Sequence, residues 1–338
     1  MFSDPRAIAS MAFEQRPSLP QTLPSVFQSV NEARENFKVV IRLRPPLPRE
    51  IDSVFGFRSI VEVTETNKRV TIEEYQGHAD NVKDREADIL ENPGMVTYHH
   101  FAFDFIYGPT ATQQEVYERT ARPAVLSILD GYNATILAFG QTGTGKTYTM
   151  EGFKYNATDP QRGICPRACE EIFKAIEGKA NNTFMVRASY LQIYNESISD
   201  LLKADRHPLQ IREERRKGVY VDGLSEWAVR SPSDIFALMR KGQHTRCTAA
   251  TNMNDLSSHS HAVFILVLEQ MGAVEEGKAV KVGKLNFVDL AGSERVRVSG
   301  ATGQRLEEFK KINQSPSALG NVSAKACPRL SSLTAANI

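Results

Sequence analysis

A chain of 338 residues with 41% hydrophobic and 24% charged side chains can bury a sizeable core, and its composition is that of an ordinary soluble globular protein. Lysine and arginine number 41 against 40 acids, so a net charge of +1 excludes a global polyanion signal, and any acidic partner must be met by local basic patches. Cys165, Cys169, Cys247 and Cys327 form no CxxC pair, no run reaches the ~18–20 apolar residues of a membrane span, and the N-terminus lacks an apolar signal core. A reducing cytoplasmic setting is expected, with neither nucleic acid nor membrane as partner.

Residues 1–36 carry Pro5, Pro17, Pro20 and Pro24 among polar residues and read as a flexible extension. From Phe37 to Arg44 the pattern becomes a β-branched strand stopped by Pro45 and Pro46. Arg42 and Arg44 are two apart and share a face, which can meet a base or ribose or lie as a solvated edge. Ile60, Val61, Val63, Val70 and Ile72 predict short antiparallel strands, Lys83 to Asn92 reads as a charged loop, and Tyr98 to Phe105 alternates again. His99 and His100 are adjacent, point to opposite faces of a strand and make a poor metal pair. Val116, Tyr117, Thr120, Val125, Ile128 and Leu129 give residues 113–131 a helical apolar face despite Pro123. Strand, helix and strand in this order imply a parallel, right-handed crossover.

The next strand, Ala134 to Phe139, runs into Gly140-Gln141-Thr142-Gly143-Thr144-Gly145-Lys146-Thr147. The spacing is that of a phosphate loop: its glycines let backbone N–H groups converge on phosphate oxygens, and Lys146 reaches the β- and γ-phosphates. Thr147 offers Mg²⁺ a hard oxygen at the start of the following helix.

Downstream, a helix is predicted over 163–179, a strand over 184–194 and a short helical turn over 198–202. Leu209 to Gly223 reads as a hairpin whose tip, Arg215-Arg216-Lys217, is basic. A helix over 233–242 comes next, with Asp234 in its first turn and Lys241 in its last. The hydroxyl-rich loop Asn252 to His261 then offers Asn254, Ser257 and Ser258, which beside a nucleotide can ligate Mg²⁺ and clamp a γ-phosphate. Lys284 to Glu294 places Asp289 at the end of a buried strand, where an acid serves Mg²⁺, and Gly292 allows a backbone N–H to approach the γ-phosphate.

With these three motifs in order, the chain resembles the kinesin motor domain over about residues 37–322. Arg42-Leu43-Arg44-Pro45, Gly131-Tyr132-Asn133, the stretch Ser189 to Glu196, Gly300 to Gly303, Asn313-Gln314-Ser315 and Ala318-Leu319-Gly320 are also similar to the family. The resemblance implies a three-layer α/β P-loop NTPase with a mostly parallel central sheet flanked by helices. It implies ATP and Mg²⁺ as cofactors, microtubules as partner, a cytoskeletal location, and hydrolysis coupled to movement along microtubules; a non-motile nucleotide- and microtubule-binding module is the alternative. Carried over by position, Arg42, Arg44 and Pro45 line the adenine side and Tyr148 stacks on the base. Gln141, Thr142, Gly143, Thr144, Gly145, Lys146 and Thr147 hold the phosphates, and Thr147, Ser258 and Asp289 serve the metal. Asn254, Ser257, Ser258, Gly292 and Glu294 form the catalytic switch loops. Arg215 to Lys217, Arg295, Arg297, Arg305, Lys310 and Lys311 match tubulin-contacting regions.

The chain departs from the family at three places. His259 stands where the family has an arginine that pairs with the switch II glutamate, here Glu294; histidine lacks the two-pronged fork, so slowed hydrolysis with retained nucleotide binding is expected. Pro316 falls inside the predicted switch II helix, which should kink or stop near Ser315. Residues 323–338 diverge and lack the family's last strand, final helix and neck linker, leaving a sheet edge unpaired.

Overall fold

The computed structural model describes residues 38–64, 66, 68–152, 158–179, 182–205, 207–215, 218–250, 259–272 and 280–294. The expected extension over 1–36, the candidates Asn254, Ser257 and Ser258, the tip residues Arg216 and Lys217, everything expected from Arg295 through Pro316, and the tail 323–338 lie outside them.

Strand β1 (Val40–Arg42) ends before the two prolines, and α1 (Pro48–Ile51) starts on Pro48, where a missing N–H leaves no bond unmade. β2 (Val61–Thr64), β3 (Arg69–Tyr75) and β4 (Val96–Ala102) pair antiparallel, as expected, over a small core of Val70, Phe103 and Ile106. Between β3 and β4 the expected loop is instead a helix, α2 (Val82–Glu91). Asn81 caps it by accepting the Asp84 N–H at 2.9 Å, and the Tyr75 hydroxyl donates to Asp88. None of its residues is buried, so it carries no apolar stripe to be read.

β5 (Phe105–Tyr107) pairs parallel with β1. The next helical stretch is broken into α3 (Gln113–Val116), a π-helical turn over Tyr117–Ala121, and α4 (Arg122–Ser127). The wide turn lets Pro123 stand in the first turn of a fresh α segment, where its missing donor costs little. The chain continues through β6 (Ala134–Ala138), α5 (Lys146–Met150), α6 (Ile164–Glu177), β7 (Asn182–Tyr194) and β8 (Ser197–Asp200). It closes with β9 (Gln210–Glu214), β10 (Gly218–Asp222), β11 (Trp227–Val229), α7 (Pro232–Ala250), β12 (His261–Gly272) and β13 (Lys281–Asp289).

β8 replaces the expected helical turn, because Asn195 and Glu196 adopt φ of 51° and 63° and fold the chain back so that β8 pairs with Leu191–Tyr194. α7 runs on past the expected stop at Gly242. A Cβ there would collide with the Tyr190 ring, so this glycine admits a close helix-to-strand approach and ends nothing.

The central sheet runs β11-β7-β12-β13-β6, with β8 also on β7. The α/β P-loop architecture stands, but the sheet is mixed rather than mostly parallel: β13 and β6 pair parallel, and every other pairing in it is antiparallel. β12 and β13 are joined by a connection too short for a crossover, which forces antiparallel pairing. The expected crossover from β5 does not pair with β6 either; β6 takes β13 as partner. Among the described residues, β6 forms the end of the sheet.

Tyr190, Phe264 and Phe287 sit in register across three strands, with Tyr190 edge-on to Phe264 at 5.3 Å and Phe264 tilted 32° to Phe287 at 6.5 Å. This row belongs to the main core, which also takes Ala168, Cys169 and Ile172 of α6 and Ile235, Phe236 and Met239 of α7. The switch II helix expected from near Leu306 lies outside the described residues.

Candidate nucleotide site

One pleat beyond the aromatic row, Asp289 of β13 lies in register with Ala138 of β6. Because the two strands run parallel, both deliver their succeeding loops to the same end of the sheet, and Leu290 N–H donates to Ala138 O at 3.3 Å. From there β6 opens into the phosphate loop, in which Gly143 and Gly145 take φ of 84° and 94°, values that a side chain resists.

Thr147 Oγ1 donates to Asp289 Oδ2 at 2.7 Å, so two of the three residues assigned to the metal from sequence meet, the third, Ser258, lying outside the described residues. Among the described residues, Asp289 Oδ1 is buried without a hydrogen-bond partner. A buried anionic oxygen left unmatched beside a hydroxyl fits a hard cation such as Mg²⁺, which is commonly held by one carboxylate together with substrate phosphates. Lys146 Nζ donates to Gln141 O at 3.0 Å, and burial lowers its pKa against the opposing pull of Asp289 and Glu294.

Glu294 folds onto the same loop. Its Oε2 accepts the Thr142 N–H at 3.0 Å and its Oε1 accepts the Thr142 hydroxyl at 2.6 Å. Burial alone would raise this carboxyl, but the two Thr142 bonds, aided by Lys146, outweigh it and hold the pKa below the ordinary value. Gly292 stands between the two residues, and a Cβ there would strike the Glu294 carboxylate and the Thr142 hydroxyl.

On the other side of the loop, Arg42 turns inward. Its guanidinium donates to Gln113 Oε1 at 2.6 Å and Thr149 Oγ1 at 2.9 Å and lies 5.3 Å from the centre of the Tyr148 ring. Gln113 in turn donates to Tyr148 O at 2.6 Å, so Arg42 braces the candidate base-stacking residue from behind. Arg44 donates to Gly143 O at 2.9 Å and pairs with Glu50, whose pKa the guanidinium holds down at about 2; Pro45 is exposed beside them.

Arg246, near the C-terminal end of α7, escaped the sequence reading. Its guanidinium pairs with Asp289 Oδ2 at 3.4 Å, each side chain being 5% exposed, and donates to Ser260 Oγ at 3.2 Å and Ser260 O at 2.8 Å. Nothing in the spacing marks it, since it lies beyond the predicted helix end. Gln113 and Thr149 were missed for a similar reason: their role is to position Arg42, 71 and 107 residues away in sequence.

His261 accepts the Ala291 N–H at Nδ1, 3.1 Å away, which requires the neutral ring, and burial lowers its pKa below the ordinary value of ~6.5. The unfolded chain therefore takes up a proton at a pH where the folded chain does not. Stability from this group is intact above pH ~6.5 and falls as the pH drops below it. Urea midpoints measured between pH 7.5 and 5.5 should fall more steeply for the wild-type chain than for His261→Asn, whose amide can still accept.

The family model for the kinesin motor domain matches residues 42–330. The chain belongs to the kinesin motor domain family. It is 47% identical over 223 residues to the kinesin heavy chain of Neurospora crassa, covering 66% of this chain and 24% of that one. It is 39% identical over 289 residues to kinesin-related protein 3 of Dictyostelium discoideum, covering 85% of this chain and 22% of that one. The matched part of the chain thus spans less than a quarter of the length of each of these two relatives. A solved structure of a fast kinesin is similar at a TM-score of 0.71 and 41% identity, covering 84% of this chain and 73% of that one. Members of this family bind nucleotide, and in this kinesin motor domain the phosphate loop meets Asp289 through Thr147 and Glu294 through Thr142.

Proposed function

We propose that this kinesin motor domain hydrolyses ATP with Mg²⁺, is stimulated by microtubules and couples turnover to movement along them. The observation that carries the reading is the contact of Thr147 with Asp289 at 2.7 Å, which joins the phosphate loop to the strand that ends in Asp289-Leu290-Ala291-Gly292. The description of the similar fast kinesin concerns ATPase mechanism and interactions with microtubules, which supports the same assignment here.

Thr147 and Asp289, with Ser258, would hold Mg²⁺, which would supply positive charge to the phosphates when bound. Lys146 supplies a fixed positive charge on the phosphates, and the N–H groups of Thr142 to Thr147 cradle them. Tyr148, backed by Arg42, stacks on the base, with Arg44 and Pro45 beside it. Asn254, Ser257 and Gly292 position the γ-phosphate, and Glu294, once released from Thr142, orients the attacking water, so the chemistry rests on placement and charge rather than on a strong base. Arg215, next to the exposed strand β9, and the basic residues Arg295, Arg297, Arg305, Lys310 and Lys311 are the candidate tubulin contacts.

Steady-state ATP turnover with and without microtubules, on this chain and on His259→Arg, tests the reading. We expect stimulated turnover in both, and a rate about tenfold higher with arginine, the worth of one charge-assisted hydrogen bond made in the closed state. Equal rates would remove His259 as the cause of slow hydrolysis. Bound nucleotide and bound microtubules without turnover in either protein would leave a non-motile binding module.

A further inference from the structure

We infer that Glu294 is a specificity-determining residue whose grip on Thr142 disfavours a triphosphate relative to a diphosphate, because its carboxylate occupies donors that a γ-phosphate needs. The inference rests on the nucleotide-binding reading of the phosphate loop.

Both carboxylate oxygens are engaged, Oε2 by the Thr142 amide at 3.0 Å and Oε1 by its hydroxyl at 2.6 Å, so the grip is two-pronged and charge-assisted. An amide of a phosphate loop is a donor for phosphate oxygens, and a carboxylate is the nearest anion a protein can offer in its place. The contact spans 152 residues of sequence, and tertiary structure maintains it. Ser293 N–H donates to Gly140 O at 3.1 Å, which pins the segment carrying Glu294 against the loop. Gly292 leaves open the space through which the carboxylate reaches, since a Cβ there would overlap both partners.

The contact is also selective along the loop. Gly292, the residue expected to approach the γ-phosphate, lies against the Thr142 hydroxyl and the Glu294 carboxylate, whereas Thr147 faces Asp289 at the helix start. A diphosphate seated over Lys146 and Thr147 leaves Glu294 where it is. A third phosphate, extending towards Thr142, meets the carboxylate and must expel it, because two anions cannot share those donors without repulsion.

Equilibrium titration of the full chain with ADP and with a non-hydrolysable ATP analogue, both with Mg²⁺, reads the effect in binding and not in turnover. Glu294→Ala should bind the triphosphate analogue about tenfold more tightly than the wild-type chain, with ADP affinity changed by less than about twofold, since one charge-assisted contact no longer competes. Glu294→Gln keeps the size of the side chain and removes its charge, and should shift the preference in the same direction by about threefold. Glu294 is partly exposed, so its replacement leaves the fold intact. Unchanged or weakened triphosphate binding in Glu294→Ala overturns the inference, and so does an equal gain for both nucleotides. A wild-type chain that binds neither nucleotide overturns the nucleotide-binding reading and this inference with it.

Discussion

Lys146→Ala should lower ATP turnover by about a thousandfold or more while leaving the fold in place. A unit charge about 4 Å from a phosphate oxygen contributes about 4 kcal/mol at an effective dielectric near 20, and each 1.36 kcal/mol of barrier is tenfold in rate. Among the described residues the ammonium makes one hydrogen bond, of 3.0 Å to Gln141 O, so its removal deprives the loop of little that holds its shape. Lys146 is half-buried, which lowers its pKa and leaves its field on a bound phosphate less screened than at the surface. Turnover and thermal unfolding measured together separate the two effects. A variant that unfolds near the wild-type temperature and has lost its turnover is the expected result; one that keeps most of its rate would remove Lys146 from the phosphate site.

Arg246→Ala should have the largest effect on stability. Arg246 and Asp289 are a pair with both side chains 5% exposed, so water cannot repair the loss, and no discount for screening applies. Removing one partner of such a pair costs about 3–5 kcal/mol, because the other is left as an uncompensated buried charge. For a domain of this size that is a fall of about 10 °C in the unfolding midpoint. The two bonds to Ser260 would be lost as well, freeing the start of β12 from the end of α7. If the pair is the cause, the double variant Arg246→Met with Asp289→Asn should recover much of the loss, since no unpaired charge then remains. An Arg246→Ala chain that melts with the wild type would show that the guanidinium carries no tie between α7 and Asp289.

The phosphate loop was legible because its chemistry is written in consecutive residues, Gly140 to Thr147, and the backbone conformations they adopt come from glycine itself. Asp289 and Glu294 were legible for the same reason, as a short motif after an apolar strand. Other elements could not be read. α2 has no buried residue, so it offers no stripe to a search for apolar period. β8 depends on two left-handed residues, Asn195 and Glu196, of which the glutamate carries no turn signal. Gly242 looked like a helix end because its real use, lying flat against Tyr190, is a contact with a strand 52 residues earlier.

The sequence by itself determined the composition of the site: a phosphate loop, a hydroxyl to meet a carboxylate, and a family whose members bind nucleotide. Those are properties of local spacing and side-chain chemistry, which survive without knowledge of the fold. Only the tertiary structure decided who holds whom. The parallel register of β6 with β13 brings Thr147 to Asp289, while the passage of α7 behind the sheet brings Arg246 to the same carboxylate. The return of the chain after β13 lays Glu294 on Thr142. These partners lie 142, 43 and 152 residues apart, and contacts at such range are set by strand direction and packing, which no local pattern encodes.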